Sequence, residues 1–95
     1  MRAIILRPFQ KSEVVDLNDN LRSIAEAIGC DVPGLTYSVS GDDAEVYSAK
    51  DAFDSGAQRN EVASLLARTP IYGVAVLIGK DDELPESYLE LLYLT

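Results

Sequence analysis

The segment "IYGVAVLIG" (71–79) constrains the fold more than any other part of this chain. It is the most apolar stretch present, rich in branched residues, and it follows Pro70. It falls far short of the roughly 20 apolar residues that a membrane-spanning helix needs. Its composition suits a buried strand, and it reads as the central strand of a sheet.

The remaining segments supply partners for it. "RAIILR" (2–7) is a short apolar run that reads as a strand stopped by Pro8, and "SEVVDL" (12–17) reads as a second, with Val15 and Leu17 on one face. The loop between them is of hairpin length. Leu21, Ile24, Ala25 and Ile28 repeat at helical spacing, with Asn18 or Asp19 to cap the start and Gly29 to accept the left-handed turn after the end. "LTYSVS" (35–40) and "AEVYSA" (44–49) flank "GDD" (41–43), the signature of a hairpin. "EVASLLAR" (61–68) reads as a short helix with Val62, Leu65 and Leu66 inward, ending before Pro70. "LPESYLELLYL" (84–94) reads as a last helix, with Leu84, Tyr88, Leu91 and Leu92 as its apolar stripe. The expected order is ββαββαβα: an α+β domain with a mainly antiparallel sheet and helices on one face.

Ninety-five residues, 47% of them apolar, make one domain spanning 1–95. Sixteen acidic against eight basic residues give a net charge of −8. No basic stripe exists to displace counterions, so direct nucleic-acid binding is not expected, whereas a basic protein partner is permitted. Cys30 is the sole cysteine, and the N-terminal apolar run is too short for a signal peptide. The expected setting is the cytoplasm, with no membrane association.

The chain lacks histidine, and with it the usual general base and the commonest zinc ligand. No phosphate-cradling glycine motif occurs. A non-enzymatic protein without metal or cofactor is the expectation. What remains are binding candidates. Glu83, Glu86 and Glu90, at i, i+3 and i+7, would share one face of the last helix, about 6 Å apart along the axis for the latter pair, a spacing that could imitate successive phosphates. Tyr88 would stand beside them, and tyrosine is favoured at interfaces. In "SGAQRNEV" (55–62), Ser55 with Gln58 fits a capping box and Asn60 fits a later cap, while Arg59 and Asn60 could also grip a small ligand. The apolar C-terminal helix would permit a homodimer.

The order of "LRSIAEAIG" (21–29), the hairpin, Asn60 with "NEVASLLAR", and the late strand bracketed by Gly73 and Gly79 resembles the small phage- and plasmid-borne family catalogued as domain of unknown function 3846. The resemblance covers nearly the whole chain in order and spacing. It implies a mobile-element accessory protein acting in a bacterial host, and it carries over no catalytic residue. The leading expectation is therefore a non-enzymatic factor that binds and modulates or inhibits a host protein. The alternatives are an acidic nucleic-acid mimic and a nucleotide-like small-ligand binder.

Overall fold

In a computed structural model, which describes residues 1–81 and 83–93 with side chains through Glu90, five strands form one antiparallel sheet. The strands are β1 (Arg2–Leu6), β2 (Glu13–Asp16), β3 (Leu35–Ser40), β4 (Ala44–Ala49) and β5 (Ala75–Gly79), in spatial order β2-β1-β5-β4-β3. The apolar late segment is thus central, as expected. It begins at Ala75 rather than at 71, because Gly73 turns the backbone into the left-handed region (φ 75°) and residue 72 is left in an isolated bridge with Arg59.

Helices α1 (Leu21–Ile28) and α2 (Glu61–Ala67) lie on opposite faces of this sheet, which corrects the expectation of a single covered face. On one face, Ile24 of α1 packs against Ala3, Ile5, Val76 and Ile78. On the other, Ala63 and Ala67 of α2 pack with Ile4, Leu6, Val46 and Leu77, joined by Leu84. The reason is visible in β1 and β5, whose consecutive residues are buried without alternation. A strand apolar on both sides requires cover on both sides.

Asn20 caps α1 by accepting from the Ser23 amide, one residue later than expected, and Gly29 ends it at φ 96°. A 3-10 turn (Val32–Gly34) leads into β3. In α2, Val62 and Leu66 pack against the core as expected, but Leu65 is 78% exposed, and the small residues Ala63, Ser64 and Ala67 are the ones fully buried against the sheet. Ser64 fixes this orientation, since its hydroxyl donates to the Ile71 carbonyl and accepts from the Ile71 amide. The last segment is a 3-10 helix (Glu86–Tyr93), not an α-helix, with Leu84 and Tyr88 of the expected stripe held against the core. The side chains of Leu91 and Leu92, and with them the expected dimer contact, lie outside the described residues.

Candidate functional site

The polar stretch 55–62 is built inward. Asn60 is only 2% exposed. Its Oδ1 accepts from the Ala63 amide and caps α2, while its Nδ2 donates to the carbonyls of Leu6 and Gly73, each at 2.9 Å. Every polar atom of that side chain is occupied, so Asn60 locks strand β1, helix α2 and the approach to β5 together and holds nothing for a ligand. Ser55 donates to the Ala52 carbonyl, and the capping-box pairing with Gln58 does not form. Arg59 lies outside the helix, paired with the Glu61 carboxylate at 3.3 Å.

Tyr88 is likewise used internally. Its ring packs on the core, and its hydroxyl reaches Asp43 Oδ1 at 2.9 Å and the Ser40 carbonyl at 3.3 Å. Burial, followed by the neighbouring Asp43, pushes its pKa above the ordinary tyrosine value. The expected acidic row does not form. Glu83 precedes the 3-10 helix and accepts from the Arg2 amide. At three residues per turn, Glu86 and Glu90 point about 120° apart instead of sharing a face. Both are exposed, but on different sides of the 3-10 helix.

The carboxylates converge elsewhere. In the antiparallel topology, the β3–β4 turn, the loop after β5 and the link from β2 to α1 all emerge at the same end of the sheet. Asp42, Asp43, Asp81 and Glu83 line one concavity there. Asp19, Glu45, Asp81 and Glu83 line an adjoining groove of about 400 Å³ that also receives Met1 and Lys80. The Met1 ammonium bonds Asp16 at 3.0 Å, which raises its pKa. Among the described residues these acids form no cluster able to hold a metal ion. They form an acidic end whose chemistry suits the amino and guanidinium groups of a basic partner.

Cys30 sits half-buried at the far end of α1, and burial, with Asp31 and Asp51 adding to it, raises the thiol pKa. A raised pKa lowers the fraction of thiolate, the form that attacks. On the α1 face of the sheet, Tyr37 and Tyr47 stack across β3 and β4 with ring centroids 5.5 Å apart. The cross-strand register that follows from the "GDD" turn is the signal that pairs these two.

No protein-family model matches the chain, and no curated protein sequence matches it. Among solved structures, the chain is similar to part of the small RNA methyltransferase HEN1 (crystal structure). The TM-score is 0.73 at 21% identity, over 97% of this chain and 16% of that one. The likeness is one of fold, and this chain spans about a sixth of that protein's length. Among the described residues no helix is long and apolar enough to cross a membrane.

Proposed function

We propose that this protein is a non-enzymatic binding factor, carried by a phage or other mobile element, which engages a basic host protein through the acidic end of its sheet in the bacterial cytoplasm. The observation that carries this reading is the convergence of Asp19, Asp42, Asp43, Asp81 and Glu83 from three separate loops, with Glu45 of β4, onto one end. The resemblance to the mobile-element family noted above supports the cellular context. The occupied side chain of Asn60 weighs against a small ligand held by Arg59 and Asn60.

Affinity purification of the tagged protein from a bacterial lysate tests this reading, run at low and at high salt. A stoichiometric basic protein that is retained at low salt and released at high salt is the expected result, because exposed charge pairs are screened within a few ångströms at about 1 M salt. Recovery of a DNA-binding protein that the chain displaces from DNA would turn the reading into the mimic version. No partner above background at either salt would overturn it.

A further inference from the structure

The two edges of the sheet are treated differently. Edge strand β2 is short and begins and ends on charged residues, Glu13 and Asp16, which is how natural proteins blunt an edge. Edge strand β3 has the sequence LTYSVS, without a charge, a proline or a bulge. Its outward groups can be identified. The Lys50 amide donates to the Gly34 carbonyl, which extends the β3–β4 register by one bonded pair. Bonded pairs alternate in an antiparallel ladder, so Thr36, Ser38 and Ser40 bond to β4. The amides and carbonyls of Tyr37 and Val39 therefore point away from the sheet. The Leu35 carbonyl joins them, while its amide is taken by Val32.

The surroundings of this edge state what could pair with it. Tyr37 is 57% and Val39 46% exposed, and both project on the same face as Tyr47 and Glu45 of the neighbouring strand. From Leu35 to Ala49 the chain contains no Lys or Arg, and it contains Asp42, Asp43 and Glu45. A second copy of a chain with net charge −8 would bring like charges together here.

We infer that β3 is a docking edge for an extended segment of a basic protein, which adds as a sixth strand and lays a Lys or Arg side chain over the Tyr37–Tyr47 stack toward Glu45. Main-chain bonds to Tyr37 and Val39 supply the register, and the aromatic faces and the carboxylate select the cation. This inference rests on the proposed binding of a basic partner and specifies how that partner is held.

The test uses a blocked eight-residue peptide of alternating Lys and Val, titrated into the isotopically labelled full chain and followed by amide chemical shifts. The expected result is saturable shifts centred on Tyr37 and Val39, absent with the Glu-Val counterpart. Methylating alternate peptide nitrogens is expected to weaken binding by about tenfold, the effect of losing one or two net hydrogen bonds. Tyr37→Ala is expected to weaken it by about threefold through the lost cation–aromatic contact. Val39→Pro removes an outward amide without touching the internal ladder, and is expected to weaken binding in the same way. If that variant fails to fold, the methylated peptide on the wild-type chain carries the same question. Shifts confined to Asp42, Asp81 and their neighbours, indifferent to methylation, would overturn the edge proposal while leaving the basic-partner reading intact. Absence of any shift, or association of two chains through β3 in place of peptide binding, would also overturn it.

Discussion

Asn60 joins four parts of the chain: its backbone amide bonds the Ile71 carbonyl, and its side chain bonds Leu6, Gly73 and the first turn of α2. Replacing it with alanine removes a helix cap and strands buried carbonyls, so Asn60→Ala is expected to cost about 2–4 kcal/mol. Asn60→Asp keeps the cap but sets a carboxylate against two carbonyls, and is expected to be destabilised as well. Urea unfolding of both variants checks this, and midpoints unchanged from wild type would show that the side chain is not buried as described. Tyr88→Phe loses the hydroxyl contacts to Asp43 and Ser40, and is expected to cost about 1 kcal/mol at neutral pH. Because burial and then Asp43 raise the folded pKa of Tyr88, the hydroxyl's contribution is fully present below the unfolded value of 10.0. It is lost as pH rises through the folded value. The deficit of the Phe variant should therefore narrow in strongly alkaline buffer, as thermal unfolding across pH would read directly. The sequence already offered Asn60 as a cap, but nothing in it announced the carbonyls of Leu6 and Gly73, which arrive from distant segments.

Elements bounded by chemistry within a few residues were legible in the sequence. Strands β3 and β4 occupy 35–40 and 44–49 as read from alternation around "GDD", and Gly29 ends α1. Elements decided by tertiary contact were not. Helical periodicity in "EVASLLAR" allows more than one inward face, and the bond between Ser64 and Ile71 selects the small one. This roll predicts that Leu65→Gln changes stability by less than about 0.5 kcal/mol, as for ordinary surface positions. Ala63→Leu, by contrast, overpacks the close approach to the sheet and is expected to cost about 1–3 kcal/mol. Equal effects in the two variants would contradict the orientation of α2. The C-terminal segment shows the same limit: its apolar spacing suggested an α-helix, and the contacts of Leu84 and Tyr88 accompany a 3-10 winding that separates Glu86 from Glu90.

At the scale of the whole molecule, the sheet topology sorts charge. The acids look scattered along the chain, at 16, 19, 42, 43, 45, 81 and 83, because their proximity depends on the strand order β2-β1-β5-β4-β3 and not on sequence spacing. Net charge was readable from composition, whereas the meeting of these particular acids at one end was not. The same topology gives β5 two neighbours and, among the described residues, β3 only one, so the acidic groove and this edge adjoin at Glu45 and Tyr47. The measurement that bears most directly on a basic partner held at this end is the affinity of the captured partner for the triple variant Asp19→Lys, Asp42→Lys, Asp81→Lys. These side chains make no hydrogen bond among the described contacts, so the fold should survive their reversal. The account predicts that the variant melts like the wild type, loses the partner at low salt, and no longer shows salt-dependent binding. A folded variant that binds with unchanged affinity and unchanged salt dependence would contradict it.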